Sequence, residues 1–202
     1  MQFAEFRIWL ATRRSVRRFR PGAVSDDRLR QILEAATFAP SAHNRQPWRF
    51  AVVSPGPARD RLAAAMGEEH RRDLLADGLE PAAVEVRLES RRRRLVDAPA
   101  CIVLCATVLS MDRYPDSGRE AAERTMAMQS LALAGGHILL AAHAHGLGSC
   151  WLCAPLFAPQ AVRQALDLPK DWEPQAAIIL GEIEEVPEDP GRMSLDQVVV
   201  WR

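Results

Sequence analysis

The chain has 202 residues, and its 26 lysines and arginines balance 26 aspartates and glutamates, which leaves a formal net charge of zero. Hydrophobic residues make up 48% of the sequence, which is typical of a globular protein and predicts one domain over residues 1–202. Neutrality argues against a general nucleic-acid or anionic-membrane binder, so a cationic patch in this chain is expected to be a local ligand site.

The first predicted element is a helix, Glu5–Arg13, which contains no long apolar stretch of the kind found in secretory signals. This predicts a cytoplasmic protein. The helix leads into the arginine cluster, which we define as Arg13–Phe19 (RRSVRRF). Arginine's planar guanidinium and a serine hydroxyl both suit phosphate oxygens, so the cluster is interpreted either as an anion site or as a solvated basic turn.

A second helix is predicted after Ser25, a good N-cap residue that two aspartates follow. Its apolar residues recur at helical spacing until about Pro40. A polar loop, Pro40–Pro47, then precedes a predicted strand, Trp48–Val53, and a helix is expected over Ala58–Glu69.

Residues 70–95 are rich in charge, and Pro81 is suited to the first turn of a surface helix. The arginines at the end of that segment, Arg91–Arg94, fit a solvated helix face better than a ligand site. A buried strand is predicted over residues 100–109.

The longest predicted element is a helix, Glu120–His145, whose middle is apolar nearly all round. Its apolar segment, Met126–Ala142, is short for a membrane span and contains polar residues, so it predicts a buried helix. A helix that is apolar on every side must be covered on every side, and a second subunit could supply part of this cover. Gly135 and Gly136 would allow another backbone to approach closely.

The last third of the chain alternates short elements without repeats. We predict a strand over Ser149–Leu152, a helix over Pro159–Leu166 and a strand over Gln175–Leu180. An acidic stretch, Glu182–Asp189, then precedes a final predicted strand, Gln197–Trp201. Helices and strands intermingle along the chain, so the fold class is α+β or a mixed α/β layer.

The four cysteines form two sequence pairs, Cys101 with Cys105 and Cys150 with Cys153. These spacings are compatible with a zinc site or a redox pair, but both pairs fall in or beside strand-like segments. Residues four apart on a strand are about 13 Å apart, and those three apart point to opposite faces. Buried structural thiols are therefore favoured.

The segments that could suggest nucleotide binding or hydrolysis do not lie in the structural context that these functions need. Gly146-Leu147-Gly148 follows a helix and precedes a strand, whereas a dinucleotide fingerprint follows a strand and opens a helix. The five histidines are scattered, so no metal site is predicted, and no Ser/His/Asp arrangement is recognisable. A cation cluster without a nucleophile or a metal predicts that a bound cofactor carries the chemistry.

Three segments together resemble the nitroreductase family of FMN-dependent oxidoreductases. They are the arginine cluster, the loop and strand Ala39–Phe50 (APSAHNRQPWRF), and Gly146–Trp151 (GLGSCW). The resemblance implies an α+β fold with a central mixed, mostly antiparallel sheet packed by helices, and a homodimer in which the long helix forms the interface.

A closer resemblance lies in Arg72-Asp73-Leu74, Gly148–Trp151 and Leu166–Pro174. These segments are similar to the C-terminal FMN reductase domain of the two-domain γ-glutamyl ligase that matures a deazaflavin coenzyme. The ligase half is absent from this sequence. By this resemblance, Asp73 matches a position that contacts the deazaflavin substrate.

The family resemblance also implies which residues bind the cofactor. Arg13 and Ser15 match ligands of the FMN phosphate and ribityl chain, and Arg14 belongs to the same run. Arg17 matches the cation near flavin N1 and O2. The other implied FMN ligands are Ser41 and Asn44 from the partner subunit, the segment Cys153, Ala154 and Pro155 beside the isoalloxazine ring, and Arg192 at the phosphate.

Three functions stay open at this point. The chain could reduce the dehydro precursor of a deazaflavin coenzyme, or act as a general NAD(P)H-dependent nitro or quinone reductase. It could also be a non-enzymatic flavin-binding or storage protein. In the first two cases, hydride passes through flavin N5 to a small unsaturated acceptor, with NADH, NADPH or a reduced deazaflavin as donor. No protein nucleophile, metal, nucleic acid or membrane is expected to take part.

Overall fold

One antiparallel sheet with helices on both faces forms the centre of the protein, for which a computed structural model describes residues 2–202. The strands are β1 (Trp48–Val53), β2 (Ala100–Ala106), β3 (Gly148–Leu152) and β4 (Glu173–Gly181), in the spatial order β1-β2-β4-β3. The helices are α1 (Phe3–Thr12), α2 (Asp26–Thr37), α3 (Pro57–Ala76), α4 (Pro81–Val96), α5 (Ser117–Ala144), α6 (Ala154–Phe157), α7 (Pro159–Ala165) and α8 (Leu195–Val198). A short 3₁₀ turn, Ala42–Asn44, lies in the loop before β1. The predicted α+β class is confirmed.

The alternation of side chains along β2 creates two separate cores, because successive residues of a strand point to opposite faces. Ile102 and Leu104 pack with α2 and α5 on one face. Cys101, Val103 and Cys105 pack with α3 and α7 on the other. All seven residues of β2 are buried, so this strand is covered on both sides.

Helix α2 forms as the sequence predicts. The hydroxyl of Ser25 accepts a hydrogen bond from the backbone N–H of Arg28 at 3.4 Å, which satisfies one of the free donors of the first turn. Leu29, Ile32 and Ala36 recur at helical spacing and are buried against the sheet. The helix ends at Thr37.

Helix α5 lies along the same face of the sheet and confirms the predicted long helix. Among residues 2–202, it is the one helix that is long and apolar enough to cross a membrane by length and composition. Within its most apolar window 39% of the residues are buried, and Leu131, Ala134 and Ile138 belong to the core. Its other face remains open in the single chain, where Leu133 is 49% exposed.

Most predicted boundaries lie within about three residues of the observed ones, and the ends of α3 and β2 differ for reasons that the side chains show. Helix α3 continues to Ala76, because ion pairs such as Arg72 with Glu69 extend it through the charge-rich segment. Strand β2 ends at Ala106 instead of continuing to residue 109. The hydroxyl of Thr107 bonds the carboxylate of Asp171 at 2.9 Å and accepts from the N–H of Leu109 at 3.3 Å, so the chain turns away from the sheet there.

The predicted final strand, Gln197–Trp201, is wrong. Ser194 and Gln197 form a capping box, and the chain makes the short helix α8 instead. Val198 and Val200 of the apolar run that ends the chain are exposed. They have no neighbouring strand among the described residues, so the run forms no ladder.

Candidate functional site

The arginine cluster runs beside the edge strand β3. Ser15 forms a parallel bridge with Ser149, and the N–H of Val16 donates to the carbonyl of Ser149 at 3.0 Å. Gly148 permits this approach, since a Cβ atom at that position would lie 2.7 Å from Cβ of Val16. The buried side chain of Val16 anchors the segment, and the arginines on either side of it stay near the surface.

The acidic stretch after β4 neutralises part of this cluster. Arg14 pairs with Asp189 at 2.6 Å, and Arg18 pairs with Glu185 at 2.9 Å. Arg13 and Arg17 have no carboxylate within 4.0 Å over residues 2–202, and their guanidinium groups donate only to nearby backbone carbonyls. The two arginines that remain available to an anion are therefore Arg13 and Arg17.

Arg17 lines a cleft of about 560 Å³ between the β3–α6 turn and helices α3 and α4. Cys153, Ala154 and Pro155 form one wall, so four of the predicted site residues meet here. The turn places them there because β3 ends at Leu152 and α6 begins directly after Cys153. The volume is within the range of cofactor sites.

The opposite wall combines apolar side chains with arginines. Met66 of α3 and Leu88 and Leu95 of α4 supply its apolar surface. Arg91 and Arg94 also line the cleft, and neither pairs with a carboxylate in the part of the chain that the structure describes. The sequence favoured a solvated face for these arginines. Their spacing of three residues, which places them on one side of a helix, is the signal that could have found them.

The other arginines of that run have a partner on their own helix. Arg92 and Arg93 donate to the carboxylate of Glu89 at 2.9 and 2.7 Å. These hydrogen bonds lower the pKa of Glu89 to about 2. The cationic character of the cleft therefore comes mainly from Arg17, Arg91 and Arg94.

Asp73 lies near the cleft but does not line it. It is exposed on the last turns of α3, one turn beyond His70, which is a lining residue. Burial lowers the pKa of His70, Arg91 lowers it further, and Asp73 opposes both effects. Asp73 can therefore act on this wall of the cleft through its charge.

Ser41, Asn44 and Arg192 do not line the cleft in the single chain. Ser41 caps the 3₁₀ turn that precedes β1, and Asn44 is the last residue of that turn; β1 is the edge strand farthest from β3. Three strand spacings separate these edges by about 14 Å. The hydroxyl of Ser41 accepts from the N–H of Gln46 at 3.0 Å, while Arg192 is exposed in the C-terminal tail.

The cysteines divide into three buried thiols and one exposed thiol. Cys101, Cys105 and Cys150 are buried in the sheet, as the sequence predicts, whereas Cys153 is exposed beside the cleft. The predicted burial of Cys153 is wrong, because this residue lies between β3 and α6 at the surface of the chain. Burial raises the pKa of Cys101 and of Cys105 to about 12, and it also raises the pKa of Cys150.

We expect a thiol reagent such as DTNB to modify one cysteine per chain rapidly at pH 8 and all four after unfolding. A thiol with a pKa of 12 is ionised in only about one molecule in ten thousand at that pH, and the thiolate is the reactive form. The Cys153→Ser variant should lose the rapid phase. Two or more rapidly reacting thiols in the native protein would contradict the burial of Cys101, Cys105 and Cys150.

Comparison with known proteins identifies the family. The model of the nitroreductase family matches residues 10–182. The chain belongs to the nitroreductase family. It is 34% identical to an NADH dehydrogenase from Thermus thermophilus, over 94% of this chain and 92% of that protein. It is 32% identical to a 5,6-dimethylbenzimidazole synthase from Rhodospirillum rubrum, over 84% of this chain and 77% of that protein.

A solved nitroreductase-family structure agrees with this assignment. The chain is 28% identical to a protein from Desulfovibrio desulfuricans, assigned as a nitroreductase and crystallised with FMN. The TM-score is 0.74, and the match covers 96% of this chain and 95% of that one. The family resemblance seen in the sequence is thus confirmed, and the chain is an oxidoreductase of the nitroreductase family. The link to the deazaflavin ligase stays a prediction.

Proposed function

We propose that this nitroreductase-family enzyme binds FMN in the cleft and uses it to transfer hydride to a small unsaturated acceptor. The observation that carries the proposal is the cleft itself, which combines an apolar wall with the unpaired guanidinium groups of Arg17, Arg91 and Arg94. FMN has the matching chemistry, a flat aromatic ring and an anionic phosphate. The FMN complex of the Desulfovibrio desulfuricans relative supports this choice of cofactor.

The chain offers separate groups to the two ends of FMN. Arg13 and Ser15 lie beside β3 in the structure and come just before Arg17 in the chain. They would hold the phosphate and the ribityl chain. Arg192 would add a further phosphate contact from the C-terminal tail. Arg14 would contribute through its position, since its guanidinium is already paired with Asp189. Arginine's planar fork suits the phosphate oxygens.

The ring end would lie between the two walls of the cleft. Cys153, Ala154 and Pro155 would pack along one side and keep water from it. Bound FMN supplies the hydride chemistry that no side chain of this protein can perform. Arg17 would hold a fixed positive charge near flavin N1, where the reduced ring is negatively charged, and would thereby stabilise that form.

A second copy of the chain would complete the site. Ser41 and Asn44 lie about 14 Å from the cleft edge of their own sheet, so we propose that they reach the cofactor of the partner subunit. The exposed apolar residues Phe3 and Ile8 of α1 and Leu133 of α5 would be covered in such a homodimer. The interface would then follow the open face of α5, in a cytoplasmic protein.

The acceptor could be the dehydro precursor of a deazaflavin coenzyme. The segments Arg72-Asp73-Leu74 and Leu166–Pro174 support this candidate, and the exposed carboxylate of Asp73 near the cleft would contact that substrate. A general NAD(P)H-dependent nitro or quinone reductase is the second candidate, and the NADH dehydrogenase of Thermus thermophilus favours it. Turnover of nitroaromatics with NADH or NADPH, against turnover of the dehydro precursor with reduced deazaflavin, separates these two. A protein that binds FMN and turns over none of these substrates would be a flavin-storage protein.

We expect the purified protein to take up one FMN per chain, turn yellow and release FMN on denaturation. Fluorescence quenching of added FMN measures the affinity, and modification of Cys153 by DTNB should slow in the loaded protein because the ring covers that wall. A protein that binds no FMN contradicts the proposal.

In the FMN-loaded protein, Arg17→Ala should lower the two-electron reduction potential of the flavin, because the charge that stabilises the reduced ring is lost. The matched control is Arg18→Ala, since Arg18 is paired with Glu185 and does not line the cleft. An unchanged potential in Arg17→Ala would show that Arg17 does not lie beside N1.

A further inference from the structure

A second group of functional side chains lies away from the cleft, at the 3₁₀ turn before β1. His43 of that turn, Asp112 of the loop after β2 and Glu123 of α5 bring one ligand atom each to within 4.8 Å of one another. The sequence predicted no metal site because the histidines are scattered. These three residues come from separate segments, so only the fold brings them together. We propose that they bind one divalent transition-metal ion.

Glu123 gives an independent reason to expect a cation. Glu123 is only 4% exposed, yet no arginine or lysine of residues 2–202 pairs with its carboxylate. Over residues 2–202, Oε2 accepts a hydrogen bond from the N–H of Asp112 at 3.3 Å, and Oε1 accepts none from a protein group. A buried carboxylate without a counter-charge is unfavourable, and a metal ion at this point would compensate it.

The neighbouring arginine does not fill this role. Arg45 pairs with Oδ1 of Asp112 and does not reach Glu123. The other oxygen of Asp112 remains available as a ligand. The carboxylates of Asp112 and Glu123 carry the charge that balances a divalent ion, while Arg45 offsets part of it from the outside.

The donor set indicates the class of metal. One imidazole nitrogen with two carboxylate oxygens suits Zn²⁺, Mn²⁺ or Fe²⁺, whereas Ca²⁺ and Mg²⁺ prefer oxygen ligands alone. Metal–ligand distances of about 2.1 Å require donors about 3.4 Å apart in a tetrahedral site. The donor atoms lie within 4.8 Å of one another, so they need to close by at most about 1.4 Å. Rotation of His43 and Asp112 can supply this, because neither residue is buried.

The backbone holds His43 toward the other two residues. His43 has φ 49° and ψ 26°, in the left-handed region, and Asn44 follows with φ 53°. The N–H of Ala42 donates to the hydroxyl of Ser130 at 3.2 Å, which ties the turn to α5. A bound metal would add a second link between the turn and α5. This proposal does not depend on FMN, and the two can fail separately.

Zinc binding to the metal-free full-length protein tests the proposal. After treatment with a chelator, calorimetric titration with Zn²⁺ should give one ion per chain. The Tm should rise by about 5–10 °C at a Zn²⁺ concentration one hundred times the Kd. His43→Asn keeps a residue that tolerates positive φ, and Glu123→Gln keeps the shape of the buried side chain. Each should weaken binding by at least about 100-fold, since even an indirect partner of a metal ligand contributes 10–100-fold.

The matched control is His145→Gln, a histidine at the end of α5 that is not part of the group. It should bind Zn²⁺ like the unaltered protein. The melting curves of the metal-free variants check that each one folds. Zinc binding that survives in both His43→Asn and Glu123→Gln overturns the proposal, because the ion then binds elsewhere. Absence of zinc uptake by the folded, unaltered protein overturns it as well.

Discussion

Arg59→Ala should lower the free energy of unfolding by about 3–5 kcal/mol. Arg59 is fully buried at 0% exposure, near the start of α3. Its guanidinium donates to the carbonyls of Ala98 and Val53, which lie just before β2 and at the end of β1. Truncation would leave a cavity and two buried carbonyls without donors, and each of these effects is destabilising. Urea unfolding measures the loss.

Two further variants separate the causes of the destabilisation expected in Arg59→Ala. Burial lowers the pKa of Arg59, which reflects the unfavourable transfer of its charge from water. Arg59→Met fills much of the space without a charge, so we expect a smaller loss than in Arg59→Ala. Arg61→Ala is the matched control, because Arg61 is exposed and makes one long hydrogen bond, at 3.3 Å to the carbonyl of Ala165. It should change stability by no more than about 0.5 kcal/mol. A loss below about 1 kcal/mol in Arg59→Ala would contradict the assigned role.

The layers of the fold could be predicted because local patterns agree with the tertiary structure. Helix α2 has a capping residue and an apolar stripe, and both act within about twelve residues of chain. Strand β2 is a continuous apolar run, which is typical of a strand covered on both faces. The terminal segment Gln197–Trp201 is also a short apolar run, but a strand needs a neighbour to bond with. No pattern within five residues shows whether one exists.

The sequence could not predict which arginines pair with carboxylates and which line the cleft, because this depends on contacts between distant segments. Arg14 and Asp189 are 175 residues apart, and Arg18 and Glu185 are 167 apart. The sequence shows a basic cluster and an acidic stretch but not which side chains meet. It also shows four consecutive arginines, 91–94, but not which of them face the cleft when their helix packs. The structure turns Arg91 and Arg94 toward the cleft.

Gly135→Ala should destabilise the protein by about 2 kcal/mol, the cost of adding a methyl group to a tightly packed contact. The sequence predicted a close approach at Gly135 and Gly136. At Gly135 a Cβ atom would lie 2.2 Å from Cζ3 of Trp151 and 2.7 Å from Cδ2 of Leu104. Trp151 lines the cleft, so a displaced ring should also weaken FMN uptake. Thermal unfolding and the fluorescence of bound FMN would report the two effects.

Gly136→Ala is the matched control on the next residue of α5. A Cβ atom there meets nothing within 4 Å, so the substitution should stabilise the single chain by about 0.5–1 kcal/mol through helix propensity alone. A loss of stability in Gly136→Ala as large as that in Gly135→Ala would show that the outer face of α5 is covered in solution. That result would favour the homodimer over an isolated chain. A gain of stability in both variants would instead contradict the packing of Gly135 against Trp151. It would also contradict the role of α5 in supporting this side of the cleft.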